Sequence, residues 1–419
     1  MKHAYGRAIP REDVDLTHVG PGTPMGELMR RYWQPIAVSD ELKDLPQRVR
    51  ILGEDLVLFR DGRGCAGLLE LHCSHRGTSL EWGRVEERGI RCCYHGWLYD
   101  VEGRVLEMPC EAPGYAERRQ LEHPAYPVME FGGLVFTYMG PPDKQPLLPM
   151  LDMYDLRGRH DVVLRGMRIW KDFFIAYVRD CNWLQVTENV LDPWHIYSLH
   201  MAISGPQFTG ALGGFEKPQI EFEQTPLGAR YRLECELPTG NHLTRCSELI
   251  VPNMILIPNL YEPGTAPVER DKASEVTWAV PIDDTHVRAL TIVAWPLRGG
   301  RPDPGWRPRI DTNVPERPGF EYDRPYEERQ RKPDDREAQE GQRPISIHAL
   351  ENLVSSDRGV VMFRRRLHES LELIALGKDP LNVIRDPEKN RALETGAFNT
   401  VRPPTPKRAS AASQELDAK

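Results

Sequence analysis

The feature that most constrains this chain lies between residues 71 and 97. Leu71-His72-Cys73-Ser74-His75-Arg76-Gly77 is followed by Arg91-Cys92-Cys93-Tyr94-His95-Gly96-Trp97. The pattern is Cys-x-His, sixteen residues, then Cys-x-x-His, so two short loops each offer one thiolate and one imidazole. Such loops can share a metal centre only where a small, turn-rich unit brings them face to face. The flanking sequence supplies one. Residues 48–52 and 56–60 flank Gly53-Glu54-Asp55, residues 97–99 and 105–108 flank Glu102-Gly103, and residues 128–131 and 134–138 flank Gly132-Gly133. Short strands at regular spacing with glycine turns predict a small all-β domain.

Structural zinc also takes two cysteines and two histidines, but a zinc finger groups its cysteines together and its histidines together. One of each per loop suits a Rieske two-iron, two-sulfur cluster, in which two cysteines hold one iron and two histidines the other. The glycine after each histidine, Tyr94 and Trp97 extend the match. The expected cluster ligands are Cys73, His75, Cys92 and His95. Only Cys92 gives Cys-x-x-His with His95, so Cys93 is expected to be a small buried side chain. His72 is expected to point away from Cys73, by alternation along an extended loop. Gly62, Gly64 and Gly67 spell G-x-G-x-x-G, but that dinucleotide fingerprint must open a helix. Here the chain reaches Cys73 through strand-like Leu68-Leu69-Glu70-Leu71, so a hairpin is expected instead.

A second constellation spans residues 182–200. His195 and His200, five apart, would lie ~140° apart around an ideal helix and could not share a metal there. Pro193 implies a kink or a restart, and a helix capped by Asp192 with Pro193 at its first position also fits. A lone histidine pair is usually structural; its combination with the first constellation changes that. The order Asn182-Trp183, Glu188-Asn189, Asp192-x-x-His195 and then His200 resembles the mononuclear-iron motif of Rieske ring-hydroxylating oxygenases. The resemblance runs from about Val19 to Pro380. Its start, Val19-Gly20-Pro21-Gly22-Thr23-Pro24-Met25-Gly26, is similar to the branch containing phthalate-type dioxygenases and aryl-ether O-demethylases.

That resemblance implies that His195 and His200 are iron ligands. It implies that Asp192 carries electrons between centres, bonded to His195 and to the cluster histidine His95 of a neighbouring subunit; the structural alternative is a helix N-cap. Two histidines and one carboxylate commonly hold oxygen-activating iron. Residues 333–345 resemble the family's late Asp-containing helix, and counting back from Gln339-Glu340 selects Asp335, with Asp334 its rival. A plain acidic residue in a helix's first turn is the alternative reading.

The implied architecture is α+β: a Rieske β-domain with its N-terminal arm over residues 1–150, and a catalytic domain with an antiparallel sheet covered by helices over 151–401. Residues 402–419 read as a mobile tail. Within the second domain, residues 170–200 read as helical in pieces, while 229–237, 275–280 and 287–295 read as strands. Residues 298–332 read as a long surface excursion. A helix capped at Ser356-Asp357 presents Val360, Phe363, Leu367, Leu371 and Ile374 at helical spacing and stops at Gly377.

The net charge of −8 argues against nucleic acid. Eight cysteines without a secretion signal point to metal and not to disulfides. No apolar run reaches the length of a membrane helix, and a cytoplasmic location is expected. The resemblance further implies one cluster and one Fe(II) per subunit, O2 as co-substrate, a ring of three subunits, and electrons from a separate NAD(P)H-dependent reductase or a ferredoxin. The expected reaction is ring dihydroxylation of an aromatic, carboxylated substrate; the alternative is O-demethylation of a methoxylated aromatic acid. Trp194, Met201, Phe208, Phe215, Trp278 and Trp295 are candidate pocket aromatics and apolars, with simple core as the bland reading. An electron carrier would need only the first domain, and a zinc-stabilised binding protein would need only the first constellation.

Overall fold

The computed structural model describes residues 8–157, 160–168, 178–205, 218–237, 239–258, 266–303 and 324–404. Phe208, Phe215, most of the 298–332 excursion and residues 405–419 of the expected tail lie outside the described residues. The strands pair antiparallel.

Three small sheets form the first region. Trp33–Val38, Leu134–Tyr138 and Val128–Phe131 make one; Gln47–Ile51, Glu54–Arg60, Ala66–Glu70 and Ala125–Tyr126 the second; Arg84–Glu86, Gly89–Arg91, Leu98–Tyr99 and Val105–Glu107 the third. The first hairpin turns one residue earlier than its glycine suggests. Ile51 pairs with Glu54, so Leu52 and Gly53 form the turn with φ of 50° and 79°. A left-handed leucine is unfavourable on its own. Here Leu52 is fully buried, and the backbone N–H groups of Leu52 and Gly53 donate to Pro281 and Ile282 of the larger sheet at 3.0 and 2.9 Å. The turn therefore doubles as a tie between regions. Gly62, Gly64 and Gly67 do sit at a hairpin: Gly64 has φ 87°, and Gly67 pairs with Phe59 across it.

The larger region is one sheet of eleven strands among the described residues. Its main path runs Val162–Arg168, His286–Arg298, Glu275–Asp283, Met254–Leu256, His242–Ile250, Gly228–Glu236, Gln219–Gln224. Few helices cover it. The longest, Arg358–Ala375, buries Val360, Phe363 and Leu367 as its spacing predicts and packs on the last two strands of the path. Its first turn carries Gly359 because a Cβ there would stand 2.6 Å from the Phe222 ring and 2.8 Å from the Leu191 carbonyl oxygen. That close approach presses the helix against the turn leading to the second constellation.

Two cores result. The larger spans both regions, from Leu16 through Phe136 to Trp278 and Leu367. Phe136 meets Trp278 edge to face at 5.4 Å, inside the larger core. Trp295 is likewise buried and donates its indole N–H to the Asp303 carbonyl. The smaller core, with Val57, Phe59, Leu69, Leu80, Ile90 and Tyr99, surrounds Cys73 and Cys92. No helix among the described residues is long and apolar enough to cross a membrane.

Candidate metal centres

The two cluster loops have the same backbone. In each, the glycine N–H returns to the cysteine carbonyl four residues earlier: Gly77 to Cys73 at 2.8 Å and Gly96 to Cys92 at 3.1 Å. Both glycines adopt left-handed conformations, φ 73° and 75°, which L side chains resist. That explains the glycine after each histidine. The turns send both thiols inward and both imidazoles outward: Cys73 and Cys92 are 3% exposed, His75 is exposed and His95 half-buried. The two imidazole centroids lie 4.4 Å apart, and Trp97 stacks on His75 at 4.8 Å. Tyr99 places its hydroxyl 3.0 Å from Cys73 Sγ. Burial pushes the Cys73 thiol up, opposed by Tyr99 and the His75 backbone N–H.

A tetrahedral zinc would gather its four donors within about 4 Å of one another. Among the described residues, the one group of three or more Cys, His, Asp or Glu donors within 4.8 Å of one another is His195, His200 and Asp335. The four loop donors are spread more widely, as a two-metal centre requires. His72 is exposed, with its Nδ1 3.1 Å from the Gly77 carbonyl, away from the thiol. Cys93 corrects the sequence reading: it is exposed, not buried, because the turn that drives Cys92 inward rotates its neighbour to solvent.

The iron candidates are assembled differently. Arg179 ends a short strand, Asn182 caps the helix Trp183–Glu188 through its Oδ1, and a turn at Asn189–Leu191 follows. Trp194–Tyr197 is α-helical, and Ser198–Ile203 then widens to a π-helix. Ser204 N–H bonds five residues back, to Leu199, at 3.1 Å. In a π turn, residues five apart return to nearly the same side of the axis. The helix restarts at Pro193, as its position implies, and with the turn widened from Ser198 on, the His195 and His200 rings stand with centroids 5.3 Å apart.

Asp335 completes the group. Its Oδ1 lies 3.2 Å from His200 Nε2 and 3.5 Å from His195 Nε2, with side-chain exposures of 14%, 0% and 18% for Asp335, His200 and His195. Burial would raise the Asp335 carboxyl, but His200, His195 and Arg179 together hold it below the usual carboxylate range. Asn189 Nδ2 donates to the same Oδ1 at 3.3 Å. Asp334, by contrast, caps the helix Asp335–Glu340 in a capping box with Glu337; burial and Glu337 push it up to about 6. Two neighbours, one residue apart, divide the cap and the imidazole-facing position between them.

A residue that sequence reasoning passed over does the long-range positioning. Buried Gln185 donates to the carbonyls of Gln339 and Arg343 at 2.9 and 3.0 Å and accepts from the Ser346 N–H at 2.8 Å. It pins the Asp335 segment against the histidine segment. Its only sequence signal was a polar residue on an otherwise apolar helix turn. Asp192 also differs in detail. His195 Nδ1 bonds to the Asp192 backbone carbonyl, while the carboxylate, raised by burial, receives the N–H groups of Trp194 and His195. A carbonyl only accepts, so Nδ1 carries a proton, and Nε2 is the nitrogen that would ligate a metal. Ligand bonds of about 2 Å from two imidazoles and a carboxylate fit this spacing.

Residues 32–130 match the Rieske [2Fe-2S] domain family. The alpha subunit of phenoxybenzoate dioxygenase from Ectopseudomonas oleovorans is 40% identical over 391 residues, covering 91% of this chain and 90% of that subunit. The oxygenase subunit of tert-butanol monooxygenase / tert-amyl alcohol desaturase from Aquincola tertiaricarbonis is 40% identical over 398 residues, covering 89% and 78%. Dicamba monooxygenase, solved with dicamba bound, shares the fold with a TM-score of 0.57 at 18% identity, over 83% of this chain and 98% of that one. With near full-length identity at this level and a Rieske domain in its N-terminal third, the chain belongs to the Rieske non-haem iron oxygenases, as an oxygenase component.

Proposed function

We propose that this chain is the terminal oxygenase of a multicomponent system that dihydroxylates the ring of an aromatic carboxylic acid, using O2 and electrons from a separate NAD(P)H-dependent reductase, directly or through a ferredoxin. The observation that carries the reading is the convergence of His195, His200 and Asp335 within 4.8 Å of one another. These three would hold Fe(II), and Cys73, His75, Cys92 and His95 the cluster. When bound, the iron supplies the oxygen-activating centre and the cluster delivers reducing equivalents.

The protein groups have definable tasks. The Asp192 carbonyl fixes the His195 tautomer, Asn189 holds the Asp335 rotamer, and Asp335 stays ionised, offsetting the charge of a divalent ion. Two imidazoles and one carboxylate occupy one side of a metal and leave the other open to oxygen and substrate. The buried thiols and outward imidazoles give the cluster one insulated end and one accessible end, with His75 at the surface. Asp192 would relay electrons from His95 of a neighbouring subunit in a cytoplasmic homotrimer.

The aromatic acid is drawn from the 40%-identical phenoxybenzoate dioxygenase subunit. A second reading, monooxygenase-type O-demethylation of a methoxylated aromatic acid, is favoured by the likeness to the oxygenase subunit of 5,5'-dehydrodivanillate O-demethylase, 34% identical over 394 residues. Turnover of a panel of aromatic carboxylates and methoxyarenes with a generic reductase separates them. Diol formation supports the first reading, and formaldehyde release supports the second. Absence of acid-labile sulfide, or of a third iron per chain, would sink both. Sedimentation of the holoenzyme tests the trimer.

A further inference from the structure

Five arginines are buried among the described residues: Arg30, Arg179, Arg245, Arg324 and Arg366. Four have guanidinium partners. Arg30 bonds to Val19, Gly26, Leu52 and Glu54, Arg245 to Asn399 and Pro258, Arg324 to Lys332, Asp334 and Glu337, and Arg366 to Glu369. Arg179 is the exception. It is 1% exposed, and its Nε, Nη1 and Nη2 all lack a hydrogen-bond partner among the described residues.

The location gives this exception its meaning. Arg179 lies six residues before Gln185 on the segment that carries Asn189, His195 and His200. The carboxylates that act on it are those of the Asp335 helix, Asp335 first, then Asp334 and Glu340. None of them bonds to it, because each is committed elsewhere. Asp335 faces the two imidazoles and Asn189. Asp334 caps its helix and meets Arg324. Glu340 takes Arg336 and the Asp180 N–H. A guanidinium has five N–H donors, and leaving a charged group buried with those donors unmet is strongly unfavourable. A planar carboxylate is the group that meets two of them at once.

We infer that Arg179 anchors the carboxylate of the substrate beside the iron, and so selects aromatic acids over their uncharged analogues. This rests on the aromatic-acid reading above. Arg179 is a specificity-determining residue; it is not one of the three groups that would ligate the iron.

The test uses the cluster- and iron-loaded oxygenase, titrated with 3-phenoxybenzoate and with 3-phenoxybenzamide, for the wild type and for Arg179→Gln and Arg179→Lys. The wild type should prefer the acid. In Arg179→Gln, affinity for the acid should fall about 10- to 100-fold, as expected for loss of charge-assisted hydrogen bonds, while affinity for the amide stays unchanged. Arg179→Lys should recover part of the loss, which also keeps the test decisive if Arg179→Gln misfolds. Iron and acid-labile sulfide should match the wild type in both variants. Equal weakening of acid and amide, or loss of iron from the variants, would overturn the inference and make Arg179 a structural counter-charge to Asp335. A wild type that prefers the acid while Arg179→Gln keeps that preference overturns the anchor alone. A wild type that binds the amide and not the acid overturns the substrate class itself, and the anchor with it.

Discussion

In the cluster region, all four candidate donors come from two turns of one small β unit, between Cys73 and His95. In the iron region, His200 and Asp335 are separated by 135 residues, and their meeting depends on Gln185 clamping one segment to the other. The first site is set by local turn chemistry: a glycine at φ > 0, a cysteine turned in, a histidine turned out. The second is set by packing between distant elements. Closing a longer loop costs only about 0.6 kcal/mol per doubling of its length, so distance in sequence is no thermodynamic bar. It does mean that specificity must come from buried polar contacts such as those of Gln185, which are costly to leave half made.

The contrast predicts effects confined to one centre or the other. The largest belongs to Asp335→Ala. It should remove the mononuclear iron and take turnover to background, beyond the ~10–100-fold typical of losing an outer partner of a ligand, while the cluster's visible spectrum is unchanged. Asp334→Ala should keep the iron and cost about 1 kcal/mol of stability, the value of a lost N-cap. Iron content after purification distinguishes the two, and retention of iron by Asp335→Ala would break the assignment.

Next in size is the cysteine pair. Cys92→Ser should bleach the cluster, whereas Cys93→Ser should leave both colour and sulfide content intact, since the Cys93 side chain faces solvent. The reverse result would mean that the second loop turns the other way.

Gln185→Ala acts on the contact that joins the two halves of the iron region. It removes three buried hydrogen bonds, worth about 1 kcal/mol each. Iron affinity should fall at the His195 site while the cluster's reduction behaviour stays as in the wild type. Equal damage to both centres would show that the regions are not independent.

The smallest effect is a pH dependence at the cluster. Arg91, adjacent to Cys92, donates to the Gly96 carbonyl at 2.6 Å and to Glu86 at 2.9 Å. Arg91 first, with Arg84 also contributing, holds the Glu86 carboxyl down at about 2, against an ordinary 4.5. A folded-state value below the unfolded one stabilises the protein above pH 4.5, and that stabilisation fades as pH falls toward 2. Glu86→Gln should therefore lose its cluster faster than the wild type at pH 6, and the gap should narrow below about pH 4.5 and close only below about pH 2. Rates of cluster bleaching across that range give the readout; a gap that widens with acid would contradict the sign.

Much of this molecule was legible residue by residue. The strands 128–131 and 134–138 around Gly132-Gly133 fall where their spacing and turn place them, and the helix Arg358–Ala375 buries the face its spacing marks. The first hairpin misled by one residue because a leucine took the left-handed turn position, stabilised by the other region of the protein. Cys93 misled because burial of a cysteine is a matter of which way a turn faces, which composition does not encode. The π turn at Ser198–Ile203 could not be read at all: no residue type marks a one-residue widening of a helix.

The amino-acid pattern alone determined the kind of chemistry. Two mixed Cys/His loops and a later His pair define donor types, and donor type decides which metal centres are possible. The tertiary structure decided which carboxylate stands at the imidazoles, since Asp334 and Asp335 are chemically identical and differ only in which side of a helix start they occupy. It also decided that Arg179 has no hydrogen-bond partner among the described residues, because pairing depends on where the neighbouring carboxylates are already committed, and that is a property of packing in three dimensions.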